Sequence, residues 1–262
     1  MRKSIAVLGG NGLLGSDLVK FLKEDFRVTP ITRDNYPGYL GKKFDVLINA
    51  NGNSRRFWAN QNPREDFLAS TVSVMSSIFD FPTDLYIYIS SPDIYENHTS
   101  PRYTKEGSKI TPENLESYGF DKYLSELIVK KYKNRYLILH PAMILGSSLK
   151  KGPIFDCLNN IPLFITLDSK IQMVTSQAIA EVIKILLDKS VTGEVFNVGG
   201  IGQFNFRKIL KYIVKEIQIS PRAEKQIYEM NVTKLRKIYP NLKTSEEYLK
   251  DFLKDNRISA IV

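Results

Sequence analysis

Apolar residues recur along the chain in two rhythms. Ser4–Leu8 is an unbroken strand-like run that stops at a glycine-rich stretch; Leu13, Leu14, Leu18, Phe21 and Leu22 then return at helical spacing. Phe26–Thr32 and Phe44–Ile48 predict the next strands. Asn62-Pro63 reads as an N-cap followed by proline at the first helical position, opening a helix toward Phe79. Leu85–Ile89, rich in Tyr and Ile, predicts a strand, Asn114–Lys133 an amphipathic helix, and Tyr136–Leu139 a further strand. This alternation predicts an α/β fold, a parallel sheet with helices on both faces. Beyond Gly146 the rhythm loosens. A helix is expected at Ile154–Leu158, a strand at Leu163–Thr166, a helix capped by Thr175 or Ser176 and running to Leu187, and a strand at Gly193–Val198. Three more helical stretches fall near 204–217, 231–238 and 245–254.

Composition narrows the class. With 262 residues and 43% hydrophobic content, the chain can bury one large core or two modest ones. A single cysteine, Cys157, cannot form an internal disulfide, so a reducing cytoplasm is expected. Apolar runs fall short of the roughly 20 residues of a membrane helix. Met1-Arg2-Lys3 before an apolar run looks like a signal peptide, but Gly9, Gly10, Asn11 and Gly12 break that run early. Lys+Arg exceed Asp+Glu by 37 to 28, a net +9, which favours anionic partners. The basic residues are spread out, with no dense tail for nucleic acid, so phosphorylated small molecules fit better. His98 and His140 are too few and too far apart for a metal site.

Two constellations carry chemistry. Gly9-Gly10-Asn11-Gly12-Leu13-Leu14-Gly15 joins the first strand to the first helix and satisfies G-x-G-x-x-G. Its glycines permit a tight turn, approach of a pyrophosphate and close helix–sheet packing, beneath a helix N-terminus that offers free N–H groups. The second strand ends Ile31-Thr32-Arg33-Asp34. Arg33 in first place favours NADP, whereas a strand end shifted by one residue would bring Asp34 there and favour NAD. Tyr118 and Lys122 form the second constellation, at i and i+4 on one helix face, where an ammonium can lower the phenol pKa for proton transfer. The same spacing at Tyr39/Lys43 spans Gly41 and that at Tyr239/Lys243 spans Pro240, so neither sits in a clean helix. Ser90-Ser91 ends the Leu85–Ile89 strand, where open α/β sheets bind ligands.

Together with Asp45–Ala50, Asn62-Pro63, Ser91-x-x-Ile94-Tyr95, His140-Pro141 through Gly146 and Val195–Gly200, these motifs resemble the extended short-chain dehydrogenase/reductase superfamily, in its NAD-dependent epimerase/dehydratase family. The resemblance implies a Rossmann-type doubly wound sheet over 1–150, joined by a returning helix and strand near 175–200. A small α+β substrate lobe would occupy most of 151–262. It implies Tyr118 as acid/base, Lys122 as its partner and ribose anchor, and Ser91 as the hydroxyl polarising the carbonyl. Cofactor contacts would come from Gly9, Gly12, Leu13, Leu14, Gly15, Arg33, Asn49, Ala50, Lys122, Pro141 and Ile144. The substrate would be a nucleotide sugar, with Arg55, Arg56, Lys150 and Lys151 as candidate diphosphate contacts. A homodimer would pair through the helices at 63–79 and 114–133. Pro92-Asp93, in place of the Asp-Glu of dehydratases, speaks against dehydration, and Glu96, His140, Met143 and Gln177 also depart from the family pattern. The leading expectation is a cytoplasmic NADP(H)-dependent 4-keto reductase. The alternatives are a 4-epimerase with retained NAD and a non-catalytic NADP-binding sensor or scaffold.

Overall fold

Six of the seven predicted strands line up side by side in one parallel sheet. The structure is a computed structural model that describes residues 2–213 and 216–255. The sheet is built from β1 (Ser4–Leu8), β2 (Arg27–Ile31), β3 (Phe44–Asn49), β4 (Thr83–Ile89), β5 (Tyr136–Pro141) and a late-returning strand, Glu194–Val198. In space the order runs β2, β1, β3, β4, β5 and then Glu194–Val198. The helices are α1 (Leu13–Leu22), α2 (Arg56–Gln61), α3 (Pro63–Phe67), α4 (Ser73–Asp80) and α5 (Ser117–Tyr132), followed by α6 (Pro153–Leu158) and α7 (Ser176–Asp188).

Period-two alternation explains why the strands read as unbroken apolar runs. Ile5, Val7, Val46, Ile48, Ile87 and Leu137 point to one face, beneath Leu14 and Leu18 of α1 and Ile179 and Ile183 of α7. Ala6, Leu8, Leu47, Tyr86, Tyr88 and Ile138 point to the other, against Val74 and Ile78 of α4 and Val129 of α5. Chain connections leave β1 and β3 in opposite directions, so the crevice at their carboxyl ends is a topological switch point.

The remaining strands are short: β6 (Met143–Leu145), β7 (Leu163–Ile165), β8 (Lys170–Ile171), β9 (Met173–Thr175), the sheet strand β10 (Glu194–Val198), β11 (Phe204–Asn205), β12 (Ile219–Glu224) and β13 (Ile227–Tyr228). Helix α8 (Thr233–Ile238) packs on the main cluster, while β6, β7, β8, β9 and β11 with α6 and α9 (Ser245–Asp255) enclose a separate apolar cluster that includes Ile154, Leu163, Phe204, Phe206 and Leu249. The Thr175 hydroxyl accepts the Ala178 N–H and caps α7.

Three predicted helices differ from the expectation. The one over 62–79 divides into α3 and α4 around a wide π-helical turn at Leu68–Val72, which turns Thr71 toward the Asp121 carbonyl at 3.1 Å. The one over 114–133 begins at Ser117, because Pro112–Asn114 forms a separate 3₁₀ turn. The stretch near 204–217 is not a helix where described. Phe204 pairs with Ile171 and the Phe206 N–H goes to the Ser169 carbonyl, so the backbone is used as a sheet edge before a 3₁₀ segment at Phe206–Lys211. Residues 214 and 215 of that stretch lie outside the described residues.

Candidate active site

The glycine loop sits at the switch point. Gly9 adopts φ +77°, a left-handed conformation, and the Gly9 and Gly10 N–H groups both reach the Ile31 carbonyl, at 3.0 and 3.2 Å. An added Cβ on Gly15 would lie 2.1 Å from the Gly9 carbonyl oxygen, so only glycine lets α1 start this close to the loop. Gly12 caps α1 without a side-chain hydrogen bond, leaving first-turn N–H groups available for an anion.

Beside the loop opens a cleft of about 620 Å³, lined among others by Gly9, Thr32, Arg33, Asn51, Gly52 and Arg55. Arg33 lines it; Asp34 does not. The tight glycine cradle, the free helix end and the cleft beside them fit a dinucleotide. The other expected contacts are placed unequally. Gly12, Leu13 and Gly15 belong to the loop and helix start, while Leu14 turns its side chain into the main core. Asn49 is fully buried, donating to Tyr86 Oη at 2.8 Å and Ser77 Oγ at 3.2 Å and accepting the Asn51 N–H at 3.0 Å. Its side chain therefore shapes the loop and is not free for a cofactor. Ala50 presents its backbone to Gly9. Pro141 and Ile144, at the ends of β5 and in β6, lie outside the cleft lining.

Ser91, Tyr118 and Lys122 come together next to this cleft, each less than 8% exposed. Ser90 turns inward and donates to Glu126 Oε1 at 2.6 Å, whereas Ser91 faces Tyr118 and donates to Asp93 Oδ2 at 2.9 Å. Helix α5 is held in place by Asn60 of α2, whose Oδ1 accepts the Tyr118 N–H at 3.1 Å. Gly119 lets the two segments touch, since a Cβ there would stand 2.2 Å from the Asp93 carbonyl. A glycine inside a predicted helix was the available signal, but its partner was not readable from spacing.

Electrostatics act on both Tyr118 and Lys122. Burial and the Asp93 carboxylate push the Tyr118 phenol above its ordinary value, opposed by Ser91 and by the Arg56 charge. Lys122 Nζ lies 5.9 Å from the Tyr118 ring centre, at 3.5 Å from the Ile89 carbonyl, with Asp66, Glu126 and Asp93 as its charged surroundings. Burial lowers Lys122 itself to about 8 against those carboxylates.

Sequence reasoning missed the groups around Asp93. Tyr228, from β13, donates to Asp93 Oδ1 at 2.6 Å, and His98 stacks on Tyr228 with ring centres 4.2 Å apart. Arg56 Nη1 reaches Asp93 Oδ1 at 3.2 Å and its Nε reaches Glu116 Oε2 at 3.2 Å. Arg56 thus pairs with two carboxylates at once. Lys151 is hydrogen-bonded to the Ser54 carbonyl and, at 2.9 Å, to the Ser54 hydroxyl. Arg55 lines the dinucleotide cleft, and Lys150 is exposed.

The family departures at 96 and 140 have structural reasons. Glu96 accepts the Thr111 N–H and Asn114 Nδ2, organising the loop between 96 and 114. His140, 1% exposed, places Nε2 2.7 Å from Glu126 Oε1 and Nδ1 3.0 Å from Asn197 Oδ1. Asn197 Nδ2 donates to the Thr104 and Asn231 carbonyls, which fixes its Oδ1 toward His140.

A family-wide sequence profile described as "NAD dependent epimerase/dehydratase family" matches residues 5–199. No curated protein sequence matches the chain. Among solved structures, a UDP-N-acetylglucosamine 4-epimerase from Methanobrevibacter ruminantium M1 superposes with TM-score 0.78 at 17% identity, over 97% of each chain. A dTDP-4-dehydrorhamnose reductase from Bacillus anthracis in complex with NADP gives TM-score 0.77 at 18% identity, over 97% of this chain and 99% of the other. RMD from Pseudomonas aeruginosa, complexed with NADPH, gives 0.75 at 16% identity, over 97% and 98%. With the glycine loop, the six-stranded parallel sheet and the profile spanning both, the chain belongs to the NAD-dependent epimerase/dehydratase family.

Proposed function

We propose that the chain is an NADP(H)-dependent reductase acting on a keto group of a nucleotide-activated sugar, of the 4-keto type. The observation that carries this reading is the buried Ser91–Tyr118 pair beside a cleft that Arg33 lines. When bound there, the nicotinamide cofactor supplies the hydride that the carbonyl carbon receives. Tyr118 holds its proton at neutral pH, as a donor in the reductive direction requires, and gives it to the substrate oxygen. Ser91 transfers its hydrogen bond from Asp93 to that oxygen and stabilises its developing charge. Lys122 lies close enough to offset the phenolate left behind and to reach toward Gly52 at the cleft.

Arg33 and Arg55 favour NADP by facing the cleft with positive charge. Residues 151–262, with their own apolar cluster and Tyr228 touching Asp93, take the sugar nucleotide. Phe67, Leu68, Val72 and Phe79 on the 63–80 segment, and Phe120, Leu127 and Tyr132 on α5, are exposed apolar residues that support a homodimer through these helices. A buried lone Cys157 suits a reducing cytoplasm. The test is NADPH and NADH oxidation against a panel of nucleotide ketosugars. Turnover with NADPH supports the reading. Protein that carries stoichiometric NAD and interconverts C4 epimers is an epimerase instead, and binding of NADPH without turnover of any ketosugar marks a sensor.

A further inference from the structure

Two buried carboxyl groups without an assigned role meet beside Lys122. Asp66 on α3 is fully buried, and Asp121, one position before Lys122, is 4% exposed. Asp66 Oδ1 accepts from Asn53 Nδ2 at 3.0 Å and from Ser70 Oγ at 3.3 Å. Oδ2 of Asp66 and Oδ2 of Asp121 find no donor among the described residues; the two carboxyl groups face each other where the segment after α3 is tied to α5, Thr71 Oγ1 donating to the Asp121 carbonyl at 3.1 Å. An ionised carboxylate only accepts, so a hydrogen bond between two of them must contain a proton. Without it, two like charges would stand together away from water.

Asp66 is the member of the pair that faces the ammonium. A Cβ on Gly52 would lie 3.5 Å from Ser70 Oγ and 3.7 Å from Lys122 Nζ, which places the Asp66 hydrogen-bond partner and the ammonium around one spot. The charged groups facing Lys122 are Asp66 from α3, Glu126 from α5 and Asp93 from the loop after β4, with Tyr88 and Tyr118 presenting their rings. Asp121 faces Asp66 as its only charged neighbour among the described residues; burial and that neighbour push it up to about 7.

We propose that Asp66 and Asp121 are positioning residues that share one proton, present a single negative charge to the Lys122 ammonium, and so set the pH range over which Lys122 stays protonated beside Tyr118. Only the consequence for turnover rests on the reductase reading. The test is an NMR titration of protein without cofactor, carrying ¹³C at the Asp carboxyl and Lys ε positions. Wild type is expected to show an Asp carboxyl titrating near neutrality, a reading that needs no variant. Asp121→Asn keeps a donor to Asp66 and should abolish that step while Lys122 still titrates normally. Asp66→Asn removes the facing charge and should bring the Lys122 titration, and the basic limb of the kcat profile, about one pH unit lower. Wild-type aspartates that all titrate below pH 5, or a Lys122 titration indifferent to Asp66→Asn, overturns the proposal. If the titrations follow while no ketosugar is reduced, the reductase reading alone fails.

Discussion

Gly15→Ala isolates what the glycine loop contributes. The new Cβ would stand 2.1 Å from the Gly9 carbonyl oxygen, 2.8 Å from the Gly9 carbonyl carbon and 3.3 Å from Gly10 Cα. All three are backbone atoms, so relief requires α1 and the loop to separate by more than about an ångström. Overpacking of this kind costs about 1–3 kcal/mol. Replacing glycine inside a helix returns about 1 kcal/mol of propensity. Net destabilisation is therefore about 0–2 kcal/mol, a fall in Tm of roughly 0–8 °C for a chain of this size. Binding should suffer more. Each hydrogen bond to a charged group contributes about 1.5–3 kcal/mol, so misplacing one loop N–H weakens NADPH by roughly 10- to 150-fold. Fluorescence titration with NADPH, paired with a thermal melt, reads both quantities without knowledge of the substrate. A Gly15→Ala protein that binds NADPH as wild type does and melts higher refutes the close-approach reasoning.

Three further outcomes follow from the geometry. Arg33→Ala should weaken NADPH by roughly 10-fold or more and leave NADH unchanged, since only the former carries the extra phosphate; equal effects on both cofactors in parallel titrations would count against Arg33. Glu126→Gln removes the carboxylate that His140 meets at 2.7 Å and that accepts from Ser90, and should cost about 1.5–3 kcal/mol by urea unfolding; a loss under about 1 kcal/mol contradicts the pair. Despite burial, His140, Ser90 and Lys130 hold Glu126 below its ordinary 4.5, so its contribution is present at neutral pH and is lost as the pH falls below that value. Wild type should sediment as a dimer, and Leu68→Lys with Leu127→Lys should yield a folded monomer; a monomeric wild type removes the dimer proposal.

The central sheet was legible because strands buried on both faces leave uninterrupted apolar runs, as in Ser4–Leu8 and Leu85–Ile89. Tyr118 and Lys122 were legible as neighbours because helical spacing fixes where side chains start. It does not fix where a long side chain ends, and the Lys122 ammonium ends at the Ile89 carbonyl, over the Tyr88 and Tyr118 rings. Phe204, Phe206 and Ile209 sit at offsets that serve a strand edge as well as a helix, and tertiary pairing with β8 decided between them. The π-helical turn at Leu68–Val72, the Gly119–Asp93 contact and the Asp66–Asp121 pair depend on how α3 and α5 pack. Residues far apart in sequence supply them, and no local period marks them.

The most direct measurement compares wild type with Tyr118→Phe in NADPH oxidation driven by a nucleotide ketosugar, with NADPH affinity measured on both proteins. The account predicts that the variant binds NADPH within about twofold of wild type and loses at least 100-fold in kcat, the range expected for removal of a positioned proton donor. Turnover that survives the loss of the phenol at wild-type rates would contradict Tyr118 as the acid and, with it, the proposed chemistry.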